Sequence, residues 1–258
     1  MSHPTHLELF GERYEPSALI EAFTPLLREE RLQRMSEVLA TRLTSVRLGL
    51  EDPHHEHNGA ACMRTAEGLG VHTIMTAELR NPFPLPPTAA PNEAGAPRRD
   101  LKGQHKKGRI PRSISTSAHR WVELQTYATG AEMIRAAHEQ GYKVYGAGPR
   151  GDMPLLDVPL DGPVVMLFGN EADGLTDEAM DACDGVFQIP MYGFTESFNL
   201  SVSAGMVLEQ LCARVRARLW AEGRRGELSE EAQRYLLAGW VAREFKTPEL
   251  KALLKRLM

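Results

Sequence analysis

The chain has 258 residues, with 42% hydrophobic and 25% charged residues and a formal net charge of −4. That balance fits a soluble globular protein rather than a disordered or fibrous one, and no apolar run approaches the roughly 20 residues that span a bilayer. The opening M-S-H-P-T-H lacks the basic and apolar regions of a signal peptide, and the cysteines Cys62, Cys183 and Cys212 form no C-x-x-C pair, so a cytoplasmic protein without a metal centre or disulfide framework is expected.

The apolar pattern predicts helix over residues 15–42, with Leu19, Ile20, Phe23, Leu26 and Leu27 on one repeat and a break or kink at Pro25. Val46–Leu50 reads as a strand, His57–Leu69 as a helix stopped by Gly70, and Val71–Met75 as a second strand. Residues 81–112 are rich in Pro, Ala, Gly and basic residues, have no periodicity and read as a loop. A strand over Trp121–Tyr127, a helix over Ala131–Gln140 and strands at Tyr142–Tyr145, Val164–Phe168 and Val186–Ile189 follow. Ser197–Leu219 reads as a long helix with Leu200, Ala204, Val207, Leu211, Val215 and Leu219 on one side, and Ser229–Met258 as one or two short amphipathic helices. Alternating strands and helices predict an α/β fold with a mostly parallel sheet covered on both faces. The expected organisation is a helical extension over 1–44, an α/β domain over 45–219 and a second helical extension over 220–258.

The net charge argues weakly against a nucleic-acid partner, but its distribution argues the other way. Residues 98–112 carry seven Lys/Arg against one Asp, and Arg214, Arg216, Arg218, Arg224 and Arg225 form a second cluster. Basic segments on a mildly acidic body suit a polyanion that touches part of the surface; solvated loops and helix faces would look the same.

Gly146, Gly148 and Gly151 spell G-x-G-x-x-G after a strand, the bare dinucleotide-binding pattern. That site needs a helix whose N-terminus faces the pyrophosphate, and Pro149, Pro154, Pro159 and Pro163 exclude a long helix there. The glycines still permit a close backbone approach.

Three other stretches carry the chemistry. The first is L-E-D-P-H-H-E-H-N-G-A-A-C-M-R-T-A-E-G-L-G-V, residues 50–71, which places His57 and Arg64 on one face of a helix kept narrow by Ala60, Ala61 and Gly68. The second is L-F-G-N-E-A-D-G-L, residues 167–175. The third is I-P-M-Y-G-F-T-E-S-F-N-L-S-V, residues 189–202, where Ser197 is a good helix N-cap. Backbone-rich loops at the carboxyl ends of strands are where α/β proteins bind ligands.

Together these stretches resemble the SpoU-type, or TrmH-like, branch of the SPOUT RNA methyltransferases, over roughly residues 32–216. R-L-Q-R-M-S-E-V-L-A-T-R (31–42) and L-S-E-E-A-Q-R-Y-L-L-A-G-W (228–240) look like the tRNA-specific members. The resemblance implies a C-terminal trefoil knot, a homodimer whose sites borrow residues from the neighbour, and S-adenosylmethionine held by backbone around Ala147, Gly169, Ile189 and Phe198. It implies catalytic roles for Asn58, Arg64, Glu171, Ser197 and Asn199 in ribose 2′-O-methylation. Arginine is effectively always protonated and is a poor base, so Arg64 is expected to grip the adjacent phosphate and favour the alkoxide electrostatically. Glu171 is expected to position Arg64 or Asn58. RNA contacts are expected from His57, Arg98, Arg99, Lys106, Lys107, Arg109, Arg112, Arg214 and Arg216. The flanks favour a D-loop guanosine of tRNA; ribosomal RNA and a non-catalytic RNA-binding member are the alternatives. Three departures stand out: His55-Glu56 where a basic residue and proline are usual, Phe198 for leucine, and a long 81–112 loop.

Overall fold

A computed structural model describes residues 5–81, 83, 118–149 and 151–257. The chain divides into two compact units, Thr44–Arg218 and Met1–Leu43 together with Leu219–Met258.

The first elements in chain order belong to the second of these units. β1 (Leu7–Leu9) and β2 (Glu12–Tyr14) form an antiparallel hairpin. Helix α1 (Pro16–Phe23) gives way at Thr24–Leu26 to a single 3₁₀ turn containing Pro25, and α2 (Glu29–Ala40) follows, so the proline interrupts the helix as expected. The hairpin was not expected. Its turn residues Phe10 and Gly11 both have positive φ (55° and 86°), and a phenylalanine in that conformation carries no sequence signal of the kind Asn-Gly does. The unit's C-terminal half supplies two further helices, Glu230–Ala242 and Thr247–Leu254. Leu19, Phe23, Met35, Leu39, Trp240 and Val241 are buried. Arg31 pairs with Glu244 through two hydrogen bonds of 3.0 and 3.2 Å.

The larger unit is a seven-stranded parallel sheet. Its strands are β3 (Val46–Glu51), β4 (Thr73–Ala77), β5 (Glu123–Tyr127), β6 (Lys143–Ala147), β7 (Met153–Pro154), β8 (Val164–Phe168) and β9 (Gly185–Gln188), in the spatial order β5-β4-β3-β8-β6-β9-β7. Every residue of β3, β4 and β8 is buried, the mark of parallel strands covered on both faces. On one face Met75, Val144, Val165 and Leu167 pack with Met133, Ile134 and Ala137 of the helix Gly130–Glu139 and Ala179 of the helix Asp177–Ala182. Val164, Met166 and Phe168 point the other way and are equally buried. The helices Glu56–Gly68 and Leu200–Ala221 meet where Gly205 faces Thr65 and Arg216 donates to the Leu69 carbonyl at 2.8 Å. Arg47, inside β3, is buried with its guanidinium 3.8 Å from the Tyr142 ring and bonded to Gln140 at 2.8 Å, which is how a charge is tolerated in a central strand.

The order of the strands positions the site. From β3 the chain moves outward through β4 to β5, then crosses to the other half of the sheet; β8 returns to lie beside β3 before β9 moves outward past β6. The loops leaving β3 and β8 therefore diverge from neighbouring carboxyl ends, the topological switch point where open parallel sheets bind ligands.

Two short elements escaped the sequence pattern. The helix Asp177–Ala182 lies in a stretch that reads as an acidic linker, although Thr176 caps it by accepting from Ala179 N–H at 3.2 Å and acids fill its first turn. β7 is a two-residue edge strand, the one place in a sheet where Pro154 is harmless. No helix follows Gly151, as the prolines require; a Cβ there would lie 2.6 Å from the Phe187 backbone carbon. Of the three G-x-G-x-x-G glycines only Gly151 lies against another segment's backbone; Gly146 and Gly148 face the side chains of Leu175 and Val186. Among the described residues no helix is long and apolar enough to cross a membrane.

Gly151→Ala should lower the unfolding free energy by about 1–3 kcal/mol, the usual cost of overpacking. Gly162→Ala, whose Cβ would meet nothing within 4 Å, should stay within about 0.5 kcal/mol of the parent. Urea denaturation of both variants checks this; equal effects would contradict the close approach at Gly151.

Candidate active site

The loop after β8, residues 169–174, has two glycines it cannot do without. Asn170 and Gly174 exchange backbone hydrogen bonds of 2.9 and 2.8 Å, Gly174 has φ of 75°, and a Cβ on Gly169 would fall on the backbone of Gly174 and Leu175. Asn170 is buried. Its Oδ1 accepts from Ala172 N–H at 2.8 Å and its Nδ2 donates to the Asp52 carbonyl at 2.7 Å. The loop is thereby fastened to the end of β3, and Glu171 is turned toward residues 54–58.

Glu171 is the acceptor on which the three motif segments converge. Its carboxylate takes the N–H groups of His54 (2.8 Å) and His55 (3.3 Å) and the Asn58 amide (2.7 Å). Partial burial pushes its pKa up, but the hydrogen bonds from Asn58 and from the His54 and His55 backbone outweigh that, and the net shift is downward. Asn58 Oδ1 in turn accepts from Asn199 Nδ2 at 3.1 Å, and Asn199 Oδ1 accepts from Ser201 N–H (2.9 Å) and Oγ–H (2.7 Å). A relay Glu171–Asn58–Asn199–Ser201 joins the three motifs. It also shifts the cap: the helix Leu200–Ala221 is capped by Asn199, whose carbonyl receives Val202 and Ser203 N–H, and not by Ser197.

The remaining expected residues fall into four groups. His57, Arg64 and Ser197 are exposed, and neither Arg64 nor Ser197 has a hydrogen-bond or ion-pair partner among the described residues. Arg64 lies six residues beyond Asn58, about 9 Å along the helix axis, so of its two expected partners Glu171 holds Asn58. Ala147 ends β6, and the next residue, Gly148, donates to the Phe187 carbonyl at 3.0 Å, two residues before Ile189. Ile189 is half-buried and Phe198 exposed. Arg214 and Arg216 direct guanidinium N–H groups to the Val158 (3.0 Å) and Leu69 (2.8 Å) carbonyls. Arg98, Arg99, Lys106, Lys107, Arg109 and Arg112 lie outside the described residues.

Beside the relay is a cleft of about 230 Å³ lined in part by Glu51, Asp52, Arg80, Asn170, Asp173 and Thr176. Glu51 is buried and accepts from Thr176 N–H (2.8 Å) and Oγ–H (2.9 Å). Asp52 is buried and accepts from Arg80 and Asn81. Glu51, Asp52 and Arg80 were not among the expected site residues. The available signal was an acid pair at the carboxyl end of a buried strand, directly ahead of the first motif.

The profile of the SpoU rRNA Methylase family matches residues 100–209. The chain is 31% identical over 215 residues to the tRNA (guanosine(18)-2′-O)-methyltransferase of Thermus thermophilus, covering 83% of this chain and 96% of that protein. It is 32% identical over 162 residues to the 23S rRNA (guanosine-2′-O-)-methyltransferase RlmB of Neisseria meningitidis, covering 63% of this chain and 54% of that protein. In fold it is similar to the A. aeolicus TrmH/SpoU tRNA modifying enzyme, with a TM-score of 0.68 at 24% identity over 85% of this chain and 98% of that one. The chain belongs to the SpoU methylase family.

Proposed function

We propose that this protein transfers a methyl group from S-adenosylmethionine to the ribose 2′-hydroxyl of a tRNA guanosine in the D-loop. The observation that carries the reading is the relay in which Glu171, Asn58 and Asn199 bring three distant segments together at the sheet's switch point. Similarity to tRNA (guanosine(18)-2′-O)-methyltransferases over most of the chain supports the substrate.

S-adenosylmethionine, when bound, supplies a sulfonium-activated methyl group for in-line displacement. The residues fit it. Among the described residues, 190–198 make no backbone–backbone hydrogen bonds, so their polar backbone groups are open to a ligand. Backbone around Ala147, Gly169, Ile189 and Phe198 would hold the adenosine and methionine parts. Near them, Asn58, Ser197 and Asn199 orient the ribose by hydrogen bonds, with Glu171 fixing the amide of Asn58. Most of the rate must come from this alignment and from managing the proton of a weakly acidic hydroxyl. Arg64, exposed on its helix, clamps the neighbouring phosphate and stabilises the developing alkoxide.

A homodimer suits that role. Val202 and Met206 are large apolar residues left exposed on the helix Leu200–Ala221, a face a second copy would cover while carrying its own Arg64 toward the relay. We also infer the trefoil knot at this end of the sheet; the close approach of Gly151 to the Phe187 backbone supports it. The basic residues from Arg98 to Arg112 supply positive charge for RNA, with His57 as a further polar contact, and the reading places the protein in the cytoplasm.

A second reading, ribosomal RNA as substrate, is favoured by the match to RlmB at comparable identity. Incubating the purified chain with labelled S-adenosylmethionine and either unmodified tRNA or ribosomal RNA, then mapping 2′-O-methyl groups by mass, separates the two. A D-loop 2′-O-methylguanosine is expected. Methylation of ribosomal RNA alone would transfer the reading to the second substrate, and none on either would remove it.

Arg64→Ala should lower kcat by on the order of 10² to 10³, as loss of one charge-stabilising donor does, with S-adenosylmethionine affinity unchanged by calorimetry. Normal turnover would remove Arg64 from the reaction. The carboxyl of Glu171 is held below its usual value of 4.5, so its contribution to stability is complete above that pH and is lost as pH falls through the folded-state value. The melting-temperature difference between the parent and Glu171→Gln should therefore be constant from pH 5.5 upward and shrink below about pH 4.5. A difference that grows on acidification would show the sign to be wrong.

A further inference from the structure

We propose that Asp52 and Arg80 are positioning residues for the methyl-transfer reaction, holding Glu171, and through it Asn58, at the ribose end of the site. The inference rests on the reading above for what Glu171 and Asn58 do, but the clamp itself is visible in the geometry. Asp52 follows β3 with a positive φ of 49° and is buried, a conformation that costs energy outside glycine and persists where surroundings over-determine it. The surroundings here are explicit. Its Oδ1 accepts Arg80 N–H (2.7 Å) and Asn81 N–H (2.8 Å), and its Oδ2 accepts Arg80 Nε–H (2.9 Å) and the Asn81 amide (3.1 Å). Its carbonyl accepts the Asn170 amide at 2.7 Å, and its own N–H donates to Ala77 at 2.8 Å.

The remaining arm of Arg80 reaches Asp173 at 3.0 Å. Glu171 is thus flanked on both sides by residues tied to Asp52: Asn170 directly, and Asp173 through Arg80. The loop closes on itself, because the N–H groups that Glu171 accepts belong to His54 and His55, two and three residues beyond Asp52. One buried residue, through its carbonyl to Asn170 and its carboxylate to Arg80, thus ties the glutamate's loop to the segment that carries its donors.

The Arg80 and Asp173 side chains are 62% and 65% exposed, and an ion pair this exposed adds little to stability. Variants there should fold, which makes them the informative test, whereas Asp52→Asn, which leaves buried donors unmatched, serves as a secondary one. In the full chain, Arg80→Met should lower kcat on the order of tenfold to a hundredfold, the scale on which a displaced catalytic group is felt. The KM for RNA and the affinity for S-adenosylmethionine should change less than about twofold, and Arg80→Lys should recover part of the rate. Combined with Glu171→Gln, Arg80→Met should cost nothing further, because both act through one group. Independent of activity, the amides of His54 and His55 should exchange with solvent faster in Arg80→Met while the rest of the sheet is unchanged.

Losses that multiply in the double variant, or unchanged exchange at residues 53–58, would overturn the clamp. A parent protein that methylates no RNA, with exchange accelerated as described, would remove the functional reading and leave the clamp in place.

Discussion

The site depends on one carboxylate accepting three N–H groups from a segment more than a hundred residues away. Glu171 can do this only because its loop is short and doubly glycine-constrained, and because Asn170 pins that loop to the end of β3. A carboxylate facing aligned donors is held ionised, and charge-assisted bonds of this kind are stronger than neutral ones. The two asparagines extend the order outward: Asn58 passes it from Glu171 to Asn199, and Asn199 passes it to the start of the long helix. An amide is well suited to such a chain, since one end donates and the other accepts. The polar relay is therefore directional, with each side chain oriented by the one before it.

The sheet topology makes the relay possible. β8 pairs with β3 in register from Val46 opposite Val164 to Leu50 opposite Phe168, so the loops leaving those strands begin side by side. Both strands are buried along their whole length, which fixes the register that brings Asp52 level with Asn170. The chemistry proposed here uses few residues with unusual acidity. What the fold supplies is placement: backbone groups along 190–198 that make no backbone–backbone bonds among the described residues, a hydrogen-bonded pair of amides, and an exposed arginine on the helix Glu56–Gly68.

Much of this was legible in the amino-acid pattern, for identifiable reasons. The buried strands were visible because parallel strands are continuous apolar runs, and the G-x-G-x-x-G motif was correctly set aside because prolines forbid the helix it needs. The second and third motifs pointed to their loops through Gly169, Glu171 and Asn199, residues whose types suit tight turns and polar contacts. Less was legible where function depends on pairing across the sheet. Nothing in residues 167–175 says that Glu171 will choose Asn58 over Arg64; that follows from the register of β3 and β8. Ser197 looked like the better cap, yet Asn199 stands one residue before the helix and takes the role. Asp52 and Arg80 are 28 residues apart in sequence and become partners only once β3 and β4 lie side by side. The two arginines Arg214 and Arg216 read as a basic face, but length and flexibility let each reach a nearby carbonyl.

The most direct measurement is a crystal structure of the full chain with S-adenosylmethionine bound. The account predicts the donor seated against the backbone of Gly169, Ile189 and Phe198, its methyl group directed to the Asn58–Asn199 pair, with Arg64 of one copy or its partner within reach of the same point. A donor bound elsewhere, or one whose methyl faces away from that pair in every copy, would contradict it.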